Sequence, residues 1–100
     1  MNAPPLILEP DADPKRVVVR GETVTLVVLA EDPDGDDIFF EWPDLADIDH
    51  TLDVFASGAL WVARAEIYEP DLLVDTVVRA VITDGLPGHS STARWRLERP

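Results

Sequence analysis

Thr23-Val24-Thr25-Leu26-Val27-Val28-Leu29-Ala30 reads as a β-strand. Val24, Leu26, Val28 and Ala30 alternate with Thr23, Thr25, Val27 and Leu29, and a strand sends alternate residues to opposite faces. The first set is expected to face a core. Val27 and Leu29 fall on the other face, where they need cover from a loop, the N-terminal segment or a neighbouring domain. The run ends in Asp32-Pro33-Asp34-Gly35, a turn sequence. Ile38 to Trp42 follows, with Ile38, Phe40 and Trp42 on one side and Phe39 and Glu41 on the other. Pro43 ends it, because proline cannot donate to a ladder.

The same pattern continues along the chain. Leu52 to Phe55 and Ala59 to Ala65 read as two strands joined through Gly58, with Leu60, Val62 and Ala65 inward and Trp61 outward or at the sandwich edge. Thr76 to Thr83 carries Val78, Ala80 and Ile82 on one side. Ser91 to Leu97 returns with Ala93, Trp95 and Leu97 inward, after the turn Asp84 to Gly88. Arg79, Arg94 and Arg96 form a basic stripe on the solvated face, explained by pairing with acids. Asp44 to Leu52 is the one stretch expected to hold a short helical turn. About seven short strands punctuated by proline and glycine predict an all-β, immunoglobulin-like antiparallel β-sandwich. Residues 1–100 are expected to make a single domain excised from a longer chain.

Composition narrows the function. Twenty acidic and eight basic residues leave a net charge of −12, which repels nucleic acid and anionic membrane surfaces. No run reaches the roughly 18 apolar residues of a membrane span, so no membrane insertion is expected. The absence of cysteine excludes thiolate metal sites and a cysteine nucleophile.

Asn2-Ala3-Pro4-Pro5, then Gly21-Glu22-Thr23-Val24-Thr25-Leu26 leading into Asp32-Pro33-Asp34-Gly35-Asp36, then Phe39-Phe40-Glu41-Trp42, then Val81-Ile82-Thr83-Asp84-Gly85 occur in this order. Together they resemble bacterial cadherin-like and polycystic-kidney-disease-type (PKD) modules. The resemblance implies a non-catalytic spacer, adhesion or carbohydrate-surface module outside the cytoplasm: extracellular, at the cell surface or periplasmic. Its partners would be neighbouring domains of the same chain, another surface protein, or carbohydrate.

The chemistry-bearing cluster is Asp32, Asp34, Asp36 and Asp37. Two readings fit it. Asp-Pro-Asp-Gly is a β-turn that needs no ligand. Calcium, which takes six to eight oxygen ligands, is the other. The EF-hand template fails, since Pro43 stands where its closing glutamate belongs. In sandwiches of the kind this chain resembles, Asp84 shares the pole of the Asp32 loop, so the candidate calcium ligands are Asp32, Asp34, Asp36 and Asp84, with Asn2 or Glu31 in support. His89, Ser90 and Ser91 beside Asp84 hold the residue types of a hydrolase triad, but neighbours on a strand point apart. His50 reads as a surface-loop residue. No enzyme is expected. The alternative is a carbohydrate-binding accessory module of an extracellular hydrolase, which would expose Trp61. A face made of Val27, Leu29 and Phe39 is a further candidate for docking a partner.

Overall fold

The computed structural model describes residues 4–86 and 88–100. Among them the strands are β1 (Leu6–Glu9), β2 (Lys15–Val18), β3 (Val24–Glu31), β4 (Phe39–Glu41), β5 (His50–Ser57), β6 (Leu60–Ile67), β7 (Val77–Thr83) and β8 (Ser90–Glu98). One sheet runs β1-β3-β6-β5 and the other β2-β8-β7-β4. Short 3-10 turns cover Pro43–Leu45 and Pro70–Leu73.

The count is eight strands because the N-terminal segment divides. Pro10 and Pro14 interrupt it, and proline has no N–H to give a ladder. Between them the chain leaves β1, antiparallel to β3, and joins the other sheet as β2, parallel to β8. Every other pairing is antiparallel.

The core is the meeting of inward rows. Val24, Leu26, Val28 and Ala30 of β3 are buried, as are Val78, Ala80 and Ile82 of β7 and Ala93, Trp95 and Leu97 of β8. Trp42 stacks on Trp95 with ring centroids 5.4 Å apart and planes 18° from parallel. Ala63, Ala65, Ala80 and Ala93 are also buried, and large side chains beside small ones let facing layers interdigitate.

Two expectations are corrected. In β6 the inward residues are Trp61, Ala63, Ala65 and Ile67, in register with Ala30, Val28, Leu26 and Val24 of β3, so Leu60 and Val62 lie outward. From Ala59 to Ala63 the run is apolar on both faces, and the charged Arg64 and Glu66 that mark the Leu60–Val62 row as outward come only in its second half. Trp61 therefore belongs to the core side and is half-buried. Val27 and Phe39 are both exposed but lie on different sheets, so they do not form one docking face.

Candidate metal centre

The acidic loop gathers at one pole. Register pairs Leu6 with Glu31, Glu31 with Leu60, Leu60 with Ser57, and Thr83 with both Phe39 and Ser90. The start of β1, the loop after β3, the β5–β6 turn and the β7–β8 turn thus share one end of the sandwich.

Within the loop the turn is fully formed. The Gly35 N–H donates to the Asp32 carbonyl at 3.1 Å, and the Asp34 N–H donates to Asp32 Oδ1 at 2.7 Å. Gly35 has φ +77°, which glycine adopts without a Cβ penalty. This geometry holds Asp32 with only 4% of its surface exposed. Its second oxygen, Oδ2, is enclosed and has no hydrogen-bond partner among the described residues. An enclosed acceptor left unpaired costs about 1–3 kcal/mol, more when charged.

Asp32, Asp34 and Asp36 each offer a carboxylate oxygen, and these lie within 4.8 Å of one another. Partial desolvation, followed by the negative charges of Asp32, Asp84, Asp34 and Asp37, raises the Asp36 carboxyl above the usual carboxylate range. A cavity of about 140 Å³ adjoins the cluster, lined by Asp32, Gly35, Asp36, Asp37, Gly58, Ala59 and Trp61. The donor set is all oxygen and strongly anionic, which suits a hard divalent cation such as calcium.

Asp84 stands beside this trio rather than in it. Its Oδ1 accepts the Leu86 N–H at 2.9 Å, and its Oδ2 lies 3.1 Å from His89 Nδ1. Burial pushes its carboxyl up, but the Leu86 N–H and His89 outweigh burial and hold it below its ordinary value. Glu31 follows the inward Ala30 and so falls on the outer row, apart from the trio. Asn2 lies outside the described residues, as does Pro87 of the β7–β8 turn. Asp37 and Trp61 are cavity residues that spacing did not assign. Asp37 was visible in the acidic run, whereas Trp61 depends on the register of β6.

The Asp84 geometry sets a pH dependence. A carboxyl depressed by folding stabilises the fold above its unfolded value of about 3.9, and that stability is lost as pH falls through the lower folded value. Asp84→Asn should therefore destabilise the protein at neutral pH, and the gap to wild type should narrow below about pH 4. Urea denaturation from neutral pH into the acid limb measures this; a constant gap would remove the linkage.

The remaining polar clusters are internally matched. The Ser91 hydroxyl donates to the Pro5 carbonyl, which commits it away from the Asp84–His89 pair. His50 Nδ1 lies 2.6 Å from the Ile48 carbonyl and so donates to it. On the outer face of the second sheet Arg79 sits opposite Arg94, and Arg16 opposite Arg96. Asp44 draws off Arg79 at 3.1 Å, Asp13 draws off Arg94 at 2.9 Å, and Glu98 takes Arg16 at 2.8 Å and Arg96 at 3.7 Å. The arginine stripe is thereby neutralised, mostly by acids from loops and strand ends.

No protein-family model and no curated protein matches the chain. Solved structures do. A structure of Dpr2 Ig1-Ig2 in complex with DIP-Theta Ig1-Ig3 superposes with a TM-score of 0.71 at 19% identity, over 99% of this chain and 33% of that one. The fold is immunoglobulin-like. The N-terminal Ig1-2 module of the Drosophila receptor protein tyrosine phosphatase DLAR gives a TM-score of 0.59 at 18% identity, over 97% and 49% of the two chains. The endo-fucoidan hydrolase MfFcnA4, of glycoside hydrolase family 107, gives 0.52 at 10% identity over 97% of this chain and 14% of that chain. This immunoglobulin-like chain thus spans half or less of each of these structures.

Proposed function

We propose that this immunoglobulin-like domain is a non-catalytic interaction or spacer module of a bacterial surface or secreted protein, of the cadherin-like or PKD kind, and that its acidic pole binds calcium through Asp32, Asp34 and Asp36. The observation that carries the calcium reading is the buried, unpaired Asp32 Oδ2 beside two further carboxylates. A cation would supply the missing partner and cancel the mutual repulsion. Asp84 shapes the pole electrostatically while its own oxygens serve Leu86 and His89.

The module reading draws on shape and topology. The domain measures 43 × 21 × 21 Å, with β1 starting at the acidic pole and β8 ending at the opposite one, where Glu98 meets Val18. Such a domain transmits the chain from pole to pole. The fold is shared with the Dpr2 Ig1-Ig2 and DLAR Ig1-2 structures and with part of an endo-fucoidan hydrolase. Among the described residues no helix is long and apolar enough to cross a membrane.

The test is a calcium titration followed by thermal unfolding and amide spectra. At ten times the dissociation constant, calcium should add about 1.4 kcal/mol. That amounts to a rise of roughly 5–10 °C in Tm for a domain of this size. The amide shifts should centre on Asp32 to Asp37. An unchanged Tm and unchanged loop amides at millimolar calcium would end the calcium reading and leave Asp32–Gly35 as a turn only.

A carbohydrate-binding accessory role is the second reading, and Trp61 in the wall of the acidic cavity favours it. A glycan screen run with calcium and with chelator tests it.

A further inference from the structure

We propose that the groove between Glu22, in the β2–β3 loop, and the Pro70–Leu73 turn is a docking site, and that its occupant is an arginine-bearing segment of a partner protein. The groove lies at the end of the sandwich where Ile67 pairs with Val24 and His50, opposite the acidic cluster. The inference is therefore independent of the calcium reading.

The groove has a volume of about 410 Å³, within the roughly 300–1,000 Å³ of ligand pockets. Tyr68, Pro70 and Leu72 supply its apolar lining. Tyr68 is fixed at both ends. Its N–H donates to the Asp49 carbonyl at 2.9 Å, and its hydroxyl shares a 3.0 Å hydrogen bond with Thr51 Oγ1. The turn beside it is anchored through buried Pro70 and Leu73, and the Leu72 N–H closes it on the Glu69 carbonyl at 3.2 Å. Anchoring those two residues leaves Leu72 in solvent, 61% exposed. Folding has thus already ordered this surface, which lowers the entropy cost of binding to it.

Charge selects the occupant. Glu22, Glu69 and Asp71 rim the groove, and among the described residues no lysine, arginine or histidine pairs with any of them. Asp13, Asp44, Asp53 and Glu98, by contrast, each hold an arginine of this chain. Nor do the rim carboxylates converge as metal ligands must; among the described residues the trio that does is Asp32, Asp34 and Asp36. Carboxylates spread around an aromatic and aliphatic lining suit an extended cation with an apolar body, not a point charge.

An arginine side chain meets each part of that surface. Its guanidinium stacks on an aromatic face and offers forked N–H donors to carboxylates, while its stem packs along apolar side chains. Lysine, a compact and strongly hydrated ammonium, matches the rim but not the flat ring. Leu72 gives the residues that flank the arginine an apolar contact, which a free guanidinium compound or a polyamine would leave unused. A second copy of this chain is a poor occupant, because it too carries −12.

Titration of the whole chain with an end-blocked Gly-Leu-Arg-Leu-Gly peptide, followed by amide and aromatic spectra, tests this. Saturable shifts should centre on the Tyr68 ring and on the amides of Glu69, Asp71 and Leu72. Replacing the arginine of the peptide with lysine should weaken binding by about threefold or more. The double variant Glu69→Gln/Asp71→Asn should weaken it by about fivefold or more, with an unchanged urea midpoint, since both side chains are exposed. Glu9→Gln/Glu41→Gln removes the same charge from exposed sites elsewhere and should bind the peptide like wild type. Equal loss in the two double variants would reduce the effect to general attraction by the acidic chain and overturn the proposal. So would equal binding of the arginine and lysine peptides, or millimolar peptide that leaves Tyr68 unmoved. Spermidine or calcium chloride alone producing the same shifts would make the groove a small-cation site and overturn the partner segment as occupant.

Discussion

Replacing Trp95 with alanine is expected to destabilise the domain by roughly 3–5 kcal/mol, the largest effect of any single truncation considered. Trp95 is 2% exposed and lies on β8, which is flanked by β2 and β7 and so sits inside its sheet. A cavity opened there cannot be relieved by movement at an edge. The stacking with Trp42 is lost as well, worth about 0.5–1.5 kcal/mol beyond burial alone. Small domains hold only about 5–15 kcal/mol in total, so the variant should unfold at much lower urea concentration and be partly unfolded at 37 °C. Trp61→Ala is the comparison. Trp61 is half-buried at the acidic pole and should cost less than half as much. Urea melts of the two variants decide the point, and a Trp95→Ala cost below that of Trp61→Ala would mean that the core is centred elsewhere.

The second large effect is a reversal produced by Asp32→Asn. In chelator, the substitution removes one of three negative charges clustered within 4.8 Å while leaving an oxygen to accept the Asp34 N–H. It also places a donor amide where Oδ2 now has no partner. Relief of repulsion at this separation is worth between about 1 kcal/mol in bulk water and about 3–4 kcal/mol at the effective dielectric of a protein surface, so the calcium-free variant should be at least as stable as wild type. In calcium the order should invert. Wild type gains about 2.7 kcal/mol at a hundred times its dissociation constant, whereas the variant, missing a buried ligand, gains little. The two stability curves therefore cross as calcium rises. A turn with no metal role predicts no calcium response in either protein. A purely structural carboxylate predicts a variant that is weaker under both conditions. Differential scanning calorimetry of both proteins in chelator and in calcium separates the three outcomes.

Acid weakens the same site. Because desolvation and then the repulsion of neighbouring carboxylates raise the Asp36 carboxyl, protons compete with calcium for it at higher pH than at an ordinary aspartate. Calcium affinity should accordingly begin to fall while pH is still above the usual aspartate value near 3.9.

Local alternation was enough to place β3, β7 and β8, because each has one wholly apolar row while the opposite row carries polar residues, such as Thr25 and Glu31, Arg79 and Thr83, or Thr92, Arg94 and Arg96. The expected core of Leu26, Val28, Trp42, Val78, Ile82 and Trp95 is buried, and Phe40 is half-buried against it. β6 was read one residue out of phase because its first half is apolar on both faces, and the weight given to Leu60 and Val62 overrode Arg64 and Glu66 on the same row. β1 and β2 went unread because prolines cut them below the length at which alternation shows.

The acidic loop was legible for a similar reason. Asp32, Asp34 and Asp36 lie within five residues of one another, and the Asp-Pro-Asp-Gly turn folds them together using only local bonds. What the sequence by itself determined is this short-range geometry and the two-faced character of its clearest strands. Only the tertiary structure decided that Asp32 Oδ2 is enclosed without a partner and that Asp84 is committed to Leu86 and His89. It likewise decided that Trp61 turns inward to the acidic cavity and that β5 is left as a bare edge. Those outcomes depend on which strands come to lie beside one another across the two sheets. Alternation orders faces within one strand and carries no information about what will be packed against them.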